Sequence, residues 1–600
     1  MHHLFCWPFR RLKVLCNYDV NLNSFLSKLC FFAMKSHLSG FIFCAILISC
    51  SNDNKISMNI AAQNLATASK KIETQKQQSD FNQNNMHNSV DMNALKPQKT
   101  VEVNLSPLPS SGLRRLTRLE LYISIVDVLG QPVSMADLPR DNSTSGFAGD
   151  EAFSLISIDE LQKYENALVK VVASLPIEAE LQKCSGKATC AADFLNGYLS
   201  RAMRGRPKAE TESLLANVST SLGAGETDGD KVRRIIMSNL MSTYFLYRTE
   251  SGANLDSKKM TNAEIAAKIS FLATSSPPDD ELLKDILNAD FTDANLRIVH
   301  VNRLLEKPAA ILTAAKFIKN WLGVKEEEIA KKKDFNPTLI AEAEDSFLKT
   351  VEHVMFNKSK PGGVAELFST KEWLVGPQLK TFLEMGTAED NAITVVNIEQ
   401  TYARSGIWEH PAIFSSHSHD VGRAPLLTGA GFLTRVLCQS IGTPPADAGA
   451  QFAKAMVPKD ATLRQTLELG TAVSPVCVGC HSRINPLAFA FLPFDATARL
   501  QKNDSFGMPW NTISSLKLGA DIPDISFTNG RDLVNQLVKQ SVFTSCTAKM
   551  LTRFSQGQRL DPRHKNIIET LSHKQKTGAS WAELLTTIVA DPEFIVSKKD

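Results

Sequence analysis

Six hundred residues are more than one hydrophobic core organises, and a working size of about 150 residues per domain gives three or four folded units. At 43% apolar and 22% charged residues the composition is that of a globular protein. A formal net charge of +3 gives no ground for a nucleic-acid or polyanionic partner.

Residues 1–33 show no periodicity. Met34-Lys35 then opens a cationic step, and the apolar run FIFCAILIS leads to Cys50. A cationic end, a short apolar stretch and a small residue before the cut describe a secretory signal. The run falls short of the ~20 apolar residues that cross a bilayer. Leu47-Ile48-Ser49-Cys50 also resembles the bacterial lipobox, in which the cysteine is lipidated and becomes the first residue of the mature chain. The expectation is therefore translation from Met34, a spurious extension over 1–33, and a lipid anchor on Cys50. The alternative is an ordinary signal peptide with an incidental Cys50. Either way the protein is expected outside the cytoplasm, in a bacterial envelope facing the periplasm or the cell surface. Residues 51–112 are rich in Asn, Gln, Ser and Lys, and they read as a tether too polar to offset its chain entropy.

From Leu113 onward helical signals dominate. Leu116, Leu119, Ile123, Val126 and Leu129 fall at three-to-four spacing, and Gly130 stops the helix. The segment 231–250 repeats the pattern with aromatic residues. SSPPDDELL at 275–283 is a helix start, with Asp279 and Asp280 as caps and not acid–base residues. Segments 301–324 and 341–356 continue the series. Ser580 and Glu583 make a capping box. No run of alternating residues is long enough for a large sheet, so the fold class is all-α. The divisions are 113–230, 231–410, 411–520 and 521–600.

Chemistry concentrates at SPVCVGCHSRINPLAFAFLPFD, residues 474–495. C-x-x-C-H places two cysteines one helical turn apart, able to add to the two vinyl groups on one edge of a porphyrin. His481 follows directly and reaches the iron. Outside the cytosol the other cysteines are free to pair. Cys184 and Cys190 close a short loop before an amphipathic helix. Cys438 and Cys546 flank the motif and complete an even number. Two other readings compete for Cys477, Cys480 and His481. One is structural zinc completed by Cys438 or Cys546; the other is a redox dithiol with a chance histidine. The apolar run Leu487 to Phe494 is read either as a porphyrin wall or as plain core. The imidazole's second nitrogen is expected to donate to a backbone carbonyl among Asn485 to Leu487, because Pro486 disfavours helical backbone at Asn485. Met456, Met508, Met550, His417 and His419 are the distal candidates, with the two histidines expected in a solvated loop.

CVGCHSRINPLAFAFLPFDATARLQ resembles the haem segment of the planctomycete-type cytochrome c proteins. The resemblance covers Cys477, Cys480, His481, Ile484, Pro486, Leu487, Phe489, Ala490, Phe494, Asp495, Ala496 and Arg499. It departs at Ala488 and Ala498, where the family usually has glycine. LRRLTRLELYISIVDVLG, the Cys184–Cys190 segment, the central helices and the C-terminal CTAKMLTRFSQGQRL resemble the family's other elements in its usual order. The resemblance implies a mainly helical, secreted, haem-bearing protein and no particular reaction. The combined reading is an all-α multidomain lipoprotein with a small c-type module near its C-terminus. Cys477, Cys480 and His481 would hold one covalent haem c. Electron transfer to a redox partner protein is the expected role, with membrane attachment through lipid. The alternatives are a haem-dependent oxidoreductase or substrate-processing enzyme, and a structural zinc protein.

Overall fold

The computed structural model describes residues 113–597 apart from 142–146, 148–154, 185, 207–225, 254–257, 387–391, 400–403, 405, 520–521 and 559. Cys50 and the tether lie outside the described residues. The architecture is mainly helical, with strands confined to two-stranded antiparallel ribbons. The longer helices are α1 (Arg118–Leu129), α2 (Ile158–Ala173), α3 (Cys190–Ala202), α4 (Asp228–Leu240), α5 (Asn262–Thr274), α6 (Asp280–Asn288), α7 (Ala294–Leu305), α8 (Pro308–Leu322) and α9 (Pro337–Met355). Then come α10 (Pro425–Gly431), α11 (Ala448–Ala453), α12 (Leu463–Gly470), α13 (Pro475–Ala490), α14 (Gly530–Leu537), α15 (Ser541–Gln556), α16 (Lys565–Lys576) and α17 (Trp581–Ala590).

Local chemistry accounts for most helix ends. Thr117 and Glu120 form a reciprocal capping box on α1, and Gly130 closes it at φ 64°. Asp279 caps α6 by accepting from the Leu282 N–H, Pro308 opens α8 at its first turn, and Ser580 with Glu583 caps α17. The buried stripe of α1 differs from the expected one. Leu116, Leu121 and Ile125 are buried, whereas Leu119, Ile123 and Val126 are only half-buried. A helix apolar nearly all round admits two neighbouring stripes, and packing chooses between them.

Segment 231–250 is likewise not one helix. After α4 and a short turn at Thr243–Leu246, the chain extends as β2 (Tyr247–Thr249), which pairs with β1 (Leu113–Arg115). Aromatic residues that fit a helix face suit a strand equally well. The other ribbons are β3 (Glu372–Val375) with β4 (Thr394–Asn397), and β5 (Ser514–Leu516) with β6 (Ile525–Phe527).

Helix α5 is buried almost throughout and serves two cores. Ala267 and Phe271 pack with Leu121, Ile125, Tyr164, Leu168 and Leu199 of the N-terminal helices. Ile265, Ile269 and Leu272 join a larger core that runs on to Ile595. Phe317 lies within that larger core, its ring 5.3 Å from Phe554, 5.5 Å from Trp581 and 5.9 Å from Trp321. Helices far apart in sequence thus depend on one another: α7 packs on α17, and α8 on α15. Phe317→Ala is expected to cost about 3–5 kcal/mol, read as a lowered midpoint of denaturant unfolding.

Candidate functional site

Helix α13 carries the C-x-x-C-H segment. Ser474 caps it by accepting from the Cys477 N–H, and Pro475 stands in the first turn, where its missing N–H leaves no bond unmade. Cys477, Cys480 and His481 are spaced i, i+3 and i+4 and so share one face. All three are half-exposed, while Val476 and Val478 beside them are exposed. The C-terminal half of the same helix is buried from Pro486 to Ala490. Helix α10 clamps this half: a Cβ on Gly429 would stand 2.7 Å from the Ile484 carbonyl and 2.8 Å from the Ala488 nitrogen. Only a glycine permits that approach.

A relay of side chains fixes the imidazole. His481 Nδ1 lies 3.0 Å from Asn485 Oδ1. The Asn485 amide N–H donates to Thr471 Oγ1 at 2.8 Å, and the Thr471 hydroxyl donates to the Leu467 carbonyl at 2.6 Å. Because Thr471 spends its proton on Leu467, it can only accept from Asn485. Asn485 must then present its oxygen to His481, so Nδ1 carries the proton and Nε2 keeps a lone pair. That is the tautomer a metal-binding imidazole needs. The sequence reading points to the Asn485 carbonyl and not to its side chain, and it does not point to Thr471. The signal was there: Asn485 lies four residues after His481, the spacing at which helical side chains meet.

This arrangement corrects the expectation of a backbone acceptor. Helix α13 runs straight through Asn485 and Pro486, so the carbonyls of Asn485 to Leu487 are not turned toward the ring. The helix tolerates Pro486 because the carbonyl deprived of its bond belongs to the exposed Ser482, where water can serve it, and because packing against α10 holds both sides of the break. The apolar run that follows is core. Leu487, Phe491 and Phe494 join the large core, where Phe491 contacts Trp408, Phe414 and Phe432.

The distal candidates separate sharply. Met456 is 95% exposed and Met508 62% exposed, and Met550 packs against the large core. His419 is exposed as expected, but His417 is not in a solvated loop: it is buried and stacked on Trp408 at 4.8 Å. Burial, with the charge of Arg435 added, lowers its pKa to about 4. His410, enclosed with Arg404 and Lys319 nearby, is lowered to about 3 by the same cause.

The segment after α13 is a closed loop tied by one carboxylate. Asp495 Oδ1 accepts from the N–H groups of Thr497 and Arg499 at 2.9 and 3.0 Å, and its Oδ2 accepts from Arg499 Nε at 2.9 Å. This gives a physical reason for an Asp and an Arg four residues apart in that element. Ala498 sits in the loop at φ 65°, a left-handed conformation that favours glycine. Ala488, the other departure from the family pattern, packs against Gly429 inside the helix contact. Ala498→Gly is therefore expected to stabilise the protein by about 1 kcal/mol, measured as a raised denaturation midpoint.

The remaining described cysteines are occupied with one another. The Cα atoms of Cys184 and Cys190 are 5.6 Å apart, those of Cys438 and Cys546 5.3 Å, and in both pairs the sulfurs stand at bonding distance. Cys477 and Cys480 are free thiols. Among the described residues no three His, Cys, Asp or Glu side chains gather into a metal-binding group. Two free thiols one turn apart, beside an imidazole with an available Nε2, form a donor set that suits covalent haem.

The buried histidines give the protein an acid-side sensitivity. Unfolded, each takes up its proton near pH 6.5; folded, His417 does so only near pH 4. Between those values the unfolded chain binds more protons, so stability falls as pH is lowered. His417→Phe, which keeps a ring against Trp408, is expected to flatten this fall by about 1.4 kcal/mol per pH unit near pH 5, measured by urea unfolding across pH 4–7.

Three family models match the chain. PSCyt3, described as a protein of unknown function (DUF1588), matches residues 404–504 and includes the whole candidate site. PSD4, a protein of unknown function (DUF1592), matches 260–385, and PSD3, a protein of unknown function (DUF1587), matches 114–175. No curated protein and no solved structure matches.

Proposed function

We propose that this chain, whose three matched segments are planctomycete cytochrome c-type domains, is an envelope-anchored monohaem c-type cytochrome that transfers electrons. The observation that carries the reading is the pair of free thiols beside an imidazole held in its Nδ1–H form by Asn485 and Thr471. Cytochrome c-type domains imply haem c, which supplies one-electron chemistry when bound. Cys477 and Cys480 would hold its edge through thioethers, and His481 would offer Nε2 to the iron. Asn485 keeps the proton on Nδ1 and strengthens the ring as a donor. Because Cys477 and Cys480 are half-exposed, a redox partner protein would be able to approach the group they hold.

Export and anchoring belong to the same proposal. Among the described residues no helix is long and apolar enough to cross a membrane. Lipid on Cys50 with the 51–112 tether would hold the folded part at a bilayer surface. Disulfides Cys184–Cys190 and Cys438–Cys546 suit an oxidising compartment.

The test is expression of the chain from Met34 in a host with cytochrome c maturation machinery. One haem per chain should appear in the pyridine haemochrome spectrum and survive acid-acetone extraction. Cys477→Ala/Cys480→Ala should lose that resistant haem, and His481→Ala should keep some covalent haem but lose normal ligation. Asn485→Leu should retain covalent haem with a shifted reduction potential. Stoichiometric zinc and no haem would replace this reading with the structural-zinc one. Mass spectrometry of the mature N-terminus should find lipid on Cys50; an unmodified Cys50 would remove the anchor.

A further inference from the structure

The β1–β2 ribbon sets Arg114 directly opposite Arg248. Both are buried, at 7% and 4% exposure. Like charges facing each other across two strands repel, and burial deepens the cost. Lys268 of α5 and Lys316 of α8 add two more cations. The carboxylates present are Glu120, 3.4 Å from Lys316, and Glu250, 3.6 Å from Lys268. Asp141 lies 3.7 Å from Arg115 and also interacts with Lys316. With Arg115, five cations therefore face three carboxylates in this region.

Two small cavities open here, of about 10 Å³ each. Arg114 and Glu120 line both; Arg248 and Lys268 line the first, Lys316 and Arg553 the second. The Nε atoms of Arg114 and Arg248 are buried without a hydrogen-bond partner. The same charges act on the titrating groups beside them. Burial pushes the Glu120 carboxyl up, yet Lys316, Arg248 and Arg114 outweigh it and hold the group at about 2. Burial and the neighbouring Arg114 also lower Arg248 to about 10.

A water molecule would satisfy the two donors and leave the excess charge in place. A monovalent anion would do both. The space suits a single small particle and excludes a tetrahedral oxoanion. We infer that the cavity between the β1–β2 ribbon and α5 is a binding site for a small monatomic anion of the halide class, chloride in size, held by Arg114 and Arg248. The site joins the N-terminal helices to the central ones, because its walls come from α1, α5 and the residues just before Gly557.

The test compares thermal unfolding of the full mature protein in sodium chloride and in sodium gluconate at equal ionic strength. Chloride should raise the midpoint saturably, by about 3 °C at saturation, and gluconate should not. Arg248→Met should abolish the difference between the two salts. Wild-type crystals soaked in sodium bromide should show an anomalous peak within hydrogen-bonding distance of Arg114 and Arg248, a result that does not depend on whether the variant folds. Equal midpoints in both salts, or soaked crystals without that peak, would overturn the assignment. Neither readout requires haem, so failure here is distinct from failure of the cytochrome reading.

Discussion

The placement of the candidate site rests on the uneven burial of one helix. The C-terminal half of α13 is buried, in close contact with α10 and with a core that also holds Trp408 and Phe432. Its N-terminal half runs out of that core and carries Cys477, Cys480 and His481 into a half-exposed position. Burial of Ile484, Leu487 and Phe489 fixes the axis and rotation of the helix. The reactive side chains inherit their direction from it. A helix held only by its own hydrogen bonds would be marginal at this length, and the proline at 486 would weaken it further. Tertiary packing does what the local sequence discourages.

That balance explains how much was legible beforehand. Signals that act within a few residues could be read directly: the caps at Asp279 and Ser580, the stop at Gly130, the C-x-x-C-H spacing and the helical class. Features settled by distant partners could not. Leu121 and not Leu119 is buried because of what packs on α1, and Tyr247 belongs to a strand because β1 lies beside it. The local preference of Pro486 against helix is overridden by the contact with α10. His417 looked solvated in a polar string, SSHSHD, yet Trp408 and Gly431 enclose it. Asn485 was legible in principle. Pro486 hides it, because its local preference argues against helical backbone at Asn485 and so against an i, i+4 contact with His481.

Charge is distributed unevenly between surface and interior. The near-neutral whole gives no sign of the cluster around Arg114, Arg248, Lys268 and Lys316, since formal charge sums over positions without regard to burial. The cluster sits where α5 serves two cores at once. Apolar contact and buried polar pairing are thus superimposed at one junction. Lys268 illustrates the arrangement: it donates to Gln556 Oε1 and to the Phe594 carbonyl, both at 2.8 Å, and so ties α5 to the C-terminal helices.

The relay through Thr471 has a mechanical side. Thr471 follows the last residue of α12, and Leu469 on that helix is exposed. The orientation of the His481 ring is therefore referenced to a second helix as well as to its own. A body pressing on α12 would act through a lever three side chains long, and the far end of that lever is the imidazole. A contact made at the surface would be felt as a tilt of the ring, without any chemical change along the way.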